Sequence, residues 1–411
     1  MKRSLLFSIA LALPIAASAF EGYAEVDGIN YYILTKGAYA EVAQKTGGYE
    51  GDVVIPSSIV YDGVICTVTA IRSSAFHYDF DLTSVVIPST VTTIGSQAFY
   101  RSKLKTVNIP SSVTSLGGEC FYKCESLESV KVDNLESWCK IEIGNDACPL
   151  QYAKHFFVGE EEIKHLIIPS SISVVNGRTF HGYKGLESVT FENGVTSIGD
   201  FAFYECTNLE SVKMSNTITE IGKKAFYRCT SLNDLKLSDE LLSIKESCFQ
   251  ECTNLSSLYV PNSVKEIEFE AFYKCKNLKT IILSQGLKKI GTNAFSNCGE
   301  LTDVYSLAEV SPIFGNSYYK DYMLPFYGSY PEYATLHVPE NSISDYQANP
   351  VWKVFGNIVA LTEEELGIKD LKDESDETSI YTIDGRTTTT TTRGFNIVKN
   401  SNGKTRIVFM K

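Results

Sequence analysis

The sequence predicts a repeat solenoid, mainly β with short helical or 3-10 segments, carrying a parallel β-sheet on one face and β caps at both ends. Three series of residues lead to it. Phenylalanines stand at Phe76, Phe99, Phe121, Phe180, Phe203, Phe226, Phe249, Phe272 and Phe295, the last six spaced by 23. Leucines keep the same step at Leu186, Leu209, Leu232, Leu255, Leu278 and Leu301, and stand earlier at Leu82, Leu104 and Leu127. Cysteines follow three residues behind the phenylalanines at Cys124, Cys206, Cys229, Cys252, Cys275 and Cys298. One unit of this length cannot bury its apolar face alone and must stack on its neighbours.

The first 19 residues read as a secretory signal. Lys2 and Arg3 precede an apolar run from Leu5 to Ile15, and Ala17-Ser18-Ala19 offers a small-residue cleavage site before Phe20. An uncleaved anchor is the weaker reading, because the run is too short to span a bilayer. No later segment is apolar enough to span, and no cysteine follows the cleavage site to take a lipid. The net charge of -12 and pI near 5.1 exclude a nucleic-acid partner, which needs a basic footprint.

Within one repeat, Leu209-x-x-Val212-x-Met214 turns three apolar side chains inward on a strand. Pro88, Pro110, Pro169 and Pro261 end that strand in other copies by withholding an amide donor. Ile218 and Ile221 return the chain along the far side. Glycine follows at Gly95, Gly199, Gly222 and Gly291, read as freedom for a tight turn. Ala225-Phe226 then opens a short helical or 3-10 segment with phenylalanine in the core.

Eleven cysteines in an exported chain ordinarily mean disulfides, yet the ladder positions read as buried thiols. Stacked rungs are close enough for disulfides on backbone distance alone, so that alternative stays open. Metal binding lacks a second paired motif beside Cys120 and Cys124. Cys66, Cys139 and Cys148 stand off the ladder, and Cys139 with Cys148 is the one pair to consider for a disulfide.

The pattern Leu-x-x-Val-x-Ile-Pro, then Ile-Gly, then Ala-Phe-x-x-Cys resembles the BspA-like, or Treponema-type, leucine-rich repeat of bacterial surface proteins, over roughly residues 55–305. Asp27-Gly28-Ile29-Asn30-Tyr31-Tyr32 resembles that family's N-terminal β cap. Residues 133–165, from Asp133-Asn134-Leu135, resemble an insertion that interrupts its ladder. Thr335-Leu336-His337-Val338-Pro339, with Asp345-Tyr346 and Trp352, resembles its closing module. The resemblance implies extracellular binding or adhesion and no catalysis. The organisation is then a signal peptide at 1–19, an N-terminal β cap at 20–54, and a leucine-rich repeat solenoid at 55–305 with its insertion at 133–165. A capping module at 306–362 follows, then an acidic linker at 363–378. The small tail at 379–411 resembles the sorting or anchoring tails of exported Bacteroidetes proteins, and a plain β tail is the alternative.

Chemistry is hard to assemble from this chain. There is no His-Glu-x-x-His, no Gly-x-Ser-x-Gly and no phosphate loop, and no cofactor is called for. The five histidines are scattered; His77 and His181 fill the slot after a repeat phenylalanine. Cys139 beside Trp138 is the only odd cysteine.

The informative surface is the strand face. One outward column reads Ser84, Thr106, Ser129, Ser188, Ser211, Asp234, Ser257 and Thr280; the next reads Val86, Asn108, Lys131, Thr190, Lys213, Lys236, Tyr259 and Ile282. Hydroxyls beside Lys131, Lys213, Lys236 and Tyr259 suit acidic or hydroxyl-rich ligands, though Ser and Thr are also ordinary strand residues. A second ladder follows the phenylalanines at Tyr100, Tyr122, Tyr204, Tyr227 and Tyr273. Tyr204 and Tyr227 make either an aromatic stripe for a partner or half-buried rings stacking along an edge. Nine rungs at about 4.8 Å span roughly 40 Å, long enough for a standard protein interface. The function expected is therefore non-catalytic adhesion or binding of an extracellular protein through an extended face. Glycan capture and a structural surface role are the alternatives.

Overall fold

The computed structural model describes residues 21–314 and 324–362, and the backbone strands Ser379–Thr382, Thr387–Thr388, Gly394–Lys399 and Thr405–Met410. The signal segment 1–19 and the acidic linker 363–378 lie outside the described residues. About 12 turns coil into a β-solenoid with three walls.

The first wall holds the longer parallel strands. Asp81–Val86, Thr106–Ile109 and Ser129–Val132 stack in register, as do Ser257–Val260, Thr280–Leu283, Asp303–Ser306, Thr335–Val338 and Asn357–Ala360. Apolar residues alternate inward along each, which is the period-2 pattern of a strand with one face on the core. The second wall is a ladder of two-residue strands. Ser197–Ile198 lies on Glu220–Ile221, and Glu266–Ile267 on Lys289–Ile290.

The third wall differs from the sequence expectation. The Ala-Phe segment is a run of turns, not helix. The residues two before and two after each phenylalanine adopt left-handed backbone, as Lys224 (φ 53°) and Arg228 (φ 55°) do around Phe226. That conformation costs a non-glycine residue roughly 1–2 kcal/mol. It aims alternate amides at the next turn: Phe201 N donates to Lys223 O (2.9 Å), Phe203 N to Ala225 O (2.8 Å) and Glu205 N to Tyr227 O (2.7 Å). Inter-turn bonds offset the local strain. Among the described residues short 3-10 helices do occur at Thr35–Gly37, Pro149–Gln151, Pro331–Tyr333 and Glu340–Ser342, outside the regular repeats.

The repeat glycines also have a different reason from turn freedom. Gly95, Gly199, Gly222 and Gly291 are absent from the positive-φ glycines. A Cβ on Gly199 would lie 2.5 Å from the Gly177 amide nitrogen of the preceding turn. Close approach of neighbouring rungs excludes a side chain there.

The core is the expected spine. Phe203 and Phe226 lie 5.1 Å apart with parallel rings, and Phe249 and Phe272 stack at 5.4 Å. The spine runs beyond the series seen in the sequence, to Tyr49 against Phe76 at one end and Phe326 on Phe295 at the other. Between Phe121 and Phe180 it is broken, and Trp138, Phe156 and Tyr183 fill the gap with tilted and edge contacts. Residues 133–165 supply a rung of their own, because His155–Val158 pairs residue for residue with Ser129–Val132. Its sheet ends there, on the antiparallel Glu161–Glu162.

All eleven cysteines are buried and free, so Cys139 and Cys148 do not pair. Cys148 Sγ–H instead points to Thr179 O at 3.7 Å. The ladder thiols donate to the phenylalanine carbonyl one turn back: Cys206 to Phe180 O at 3.1 Å, Cys229 to Phe203 O at 3.3 Å and Cys252 to Phe226 O at 3.3 Å. Burial raises these thiols far above the ordinary range. They are bonded, protonated and out of reach of oxidants.

Three antiparallel strands, Glu21–Val26, Ile29–Leu34 and Tyr39–Val42, cover the first turn. At the other end the helix Ile343–Ala348 packs over the last strand. Tyr346 Oη shares a hydrogen bond with Ser306 Oγ (2.8 Å), and Trp352 Nε1 donates to Pro312 O (3.0 Å), which seals the core. The tail strands form a separate antiparallel sheet.

Candidate binding surface

The outer face of the longer strands presents both outward columns along the stack, and the lysines and rings belong to the second. Register places Val54, Val86, Asn108, Lys131 and Phe157 in it, then Ile167, Thr190, Lys213 and Lys236, then Tyr259, Ile282, Tyr305, His337 and Val359. Its chemistry is graded: aliphatic at the start, cationic in the middle, aromatic and aliphatic at the end.

Lys213 and Lys236 sit on adjacent rungs, whereas Lys131 lies in the earlier sheet. Lys131 is held by Glu160 at 2.5 Å, and Lys213 stands 3.9 Å from Asp234. Lys236 makes no ion pair among the described residues. Tyr259 opens the final group, where Ile282 and Leu307 pack with Tyr259, Tyr305 and Leu361 into a small apolar cluster separate from the main core. Ile282 and Leu307 are 8% and 7% exposed although they lie on the outer side of the sheet, so their neighbours already shield them. His337 stacks on Tyr305 with ring centroids 4.3 Å apart, and its Nε2 meets Asp303 at 3.2 Å.

Tyr204 and Tyr227 belong elsewhere. They follow Phe203 and Phe226 on the turn wall and stack at 4.7 Å and 8°, half-buried. Burial pushes the Tyr204 phenol up to about 12. Beside them Arg228 bridges Glu205 (3.1 Å) and Glu251 (2.8 Å), and its guanidinium lies 5.3 Å from the Tyr227 ring centre. The six residues singled out in the sequence therefore divide between two walls.

Sequence reasoning stopped at Ile282 and missed Tyr305, Leu307, His337 and Leu361. One further step of 23 from Ile282 reaches Tyr305, so that signal was present. His337 comes 32 residues later, past the longer loop, and no period marks it. Among the described residues no group of three or more His, Cys, Asp or Glu is placed to hold a metal ion. No helix among them is long and apolar enough to cross a membrane.

No curated protein matches this sequence. Among solved structures, a leucine-rich cell surface protein from Faecalibacterium prausnitzii is 23% identical, with 72% of this chain and 95% of that chain covered at a TM-score of 0.36. A leucine-rich repeat protein from Bacteroides ovatus is 24% identical, covering 71% of this chain and 98% of that one at a TM-score of 0.29. The pneumococcal vaccine antigen PcpA is 16% identical, over 84% of this chain and 100% of that one, with a TM-score of 0.40. A family model described as the BspA-type leucine-rich repeat region matches in six copies at residues 67–143, 151–267 and 196–324, more than half of the sequence. The chain belongs to the BspA-type leucine-rich repeat family.

Proposed function

We propose that this is a secreted, surface-displayed and non-catalytic protein that adheres to an extracellular protein through its outer strand face. Family membership supports binding in place of catalysis. The observation that carries the reading is the cluster outside the solenoid core, whose partly exposed Tyr259, Tyr305 and Leu361 rest on the shielded Ile282 and Leu307, with Lys213 and Lys236 beyond it. Aromatic and aliphatic anchors grouped in this way dominate protein interfaces. In the same reading residues 1–19 direct export, 363–378 act as a spacer, and the tail from 379 serves sorting or anchoring.

Glycan capture has less support. Sugars stack on open ring faces, and here Tyr305 gives one face to His337 while Tyr204 and Tyr227 cover each other.

The test is to titrate the mature chain against extracellular matrix proteins and a glycan array, beside the double variant Tyr259→Ala, Tyr305→Ala. A protein partner whose binding weakens about tenfold or more in the variant supports the reading. It fails if no protein binds above background, or if the variant binds as the parent does.

A further inference from the structure

Asp79 occupies the cysteine position of its turn, three residues after Phe76, where later turns carry Ser102 and Cys124. It is 6% exposed, and its Oδ2 has no hydrogen-bond partner. The backbone of Tyr49 is its hydrogen-bonding neighbour. A carboxylate in such a place is costly unless something compensates it. Neighbouring cations are engaged elsewhere: Lys45, itself in the cavity lining, bonds through Nζ to Gly28 O (2.9 Å) and Glu25 (3.4 Å), and Arg101 lies over the Tyr78 ring.

Asp79 lines a cavity of about 430 Å³ between the Gln44–Tyr49 loop and residues 77–81. Gly47 and Gly48 both have positive φ, and a Cβ on Gly48 would lie 2.8 Å from Asp79 Oδ1. At Gly48 the loop backbone closes against Oδ1, while a Cβ on Gly47 would meet nothing within 4 Å, so the open space lies beyond Gly47. Tyr78 and Phe80, edge to face at 5.9 Å, stand exposed at the rim, and Asp81 adds a second carboxylate. One buried carboxylate among rings and backbone is too few oxygen ligands for a divalent ion. It matches an organic cation, which rings attract as well.

We propose that this cavity receives a basic side chain of a partner polypeptide, a guanidinium in preference to an ammonium. The guanidinium is flat and weakly hydrated, so it can lie against Tyr78 or Phe80 with its charge facing the Asp79 carboxylate. This site lies at the opposite end of the stack from the strand-face cluster and stands independently of it.

The experiment titrates the full chain by NMR at pH 7.5 with N-acetyl-arginine amide, its lysine counterpart and the neutral citrulline counterpart. Saturable shifts around Asp79 are expected with arginine, weaker ones with lysine and none with citrulline. Asp79→Asn should weaken the arginine response about tenfold or more while the protein stays folded, because the change removes a buried charge. The arginine response should also fade as pH drops through about 6, where Asp79 protonates. Tyr49, Tyr78, His77, Lys45 and Asp81 are the other titratable groups facing the cavity, and burial shifts the His77 imidazole below its ordinary range. The proposal is overturned if arginine gives no saturable shifts, if citrulline or Asp79→Asn responds equally, or if lysine binds more tightly.

Discussion

Asp79→Asn tests the electrostatics of the cap junction in the ligand-free protein. Burial raises this carboxyl from 3.8 to about 6. The folded chain therefore holds the proton more tightly than the unfolded chain. Its contribution to stability is fully present below pH 4 and is lost as pH rises through 6. At 1.36 kcal/mol per unit, the loss approaches about 3 kcal/mol by pH 7.5. Asparagine keeps the shape and cannot ionise, so the variant should exceed the parent by up to about 3 kcal/mol at pH 7.5 and match it near pH 4. Urea unfolding followed by circular dichroism at both pH values measures the difference. A variant no more stable at pH 7.5, or one stabilised equally at pH 4, would refute the reasoning.

Other substitutions probe the spine and its walls. Phe249→Ala removes a ring stacked on both sides and should cost about 3–5 kcal/mol in urea unfolding. Gly199→Ala forces a methyl against the backbone of the preceding turn and should cost about 1–3 kcal/mol, although the same exchange at an open helical site stabilises. In the native protein a thiol reagent at pH 8 should label few of the eleven cysteines, and nearly all of them after unfolding in guanidinium. Rapid labelling of Cys229 or Cys252 in the native state would contradict their burial.

The phenylalanine, leucine and cysteine columns were legible because strict spacing converts directly into stacking. The left-handed turn wall was not. Its special positions hold Lys224, Arg228, Glu205 and Phe201, none of which signals positive φ, since the bonds that stabilise it come from the neighbouring turn. The rung within 133–165 escaped notice for a similar reason. Phe156 follows Val130 by 26 residues, so pairing there depends on tertiary register and not on the period. Asp79, Ser102 and Ser329 also hold cysteine positions, but a search for thiols passes over oxygen. Ser329 Oγ–H donates to Phe295 O at 2.5 Å, doing the work of a ladder thiol. Of the binding surface, the lysines and Tyr259 were visible, while the cluster around Tyr305 and Leu361 required the two ends of the last turns to meet.

On the turn wall the alternate amides that bond between turns, such as those of Phe201, Phe203 and Glu205, all donate toward the later turn. Up to three peptide units per turn therefore lie head to tail along the axis, and their dipoles add as they do in an α-helix. On either side of the interruption at 133–165 this wall acts as an electret, with its positive end toward the later turns and its negative end toward the earlier ones. Asp79 sits at the negative pole, where an incoming cation is attracted before it touches the carboxylate.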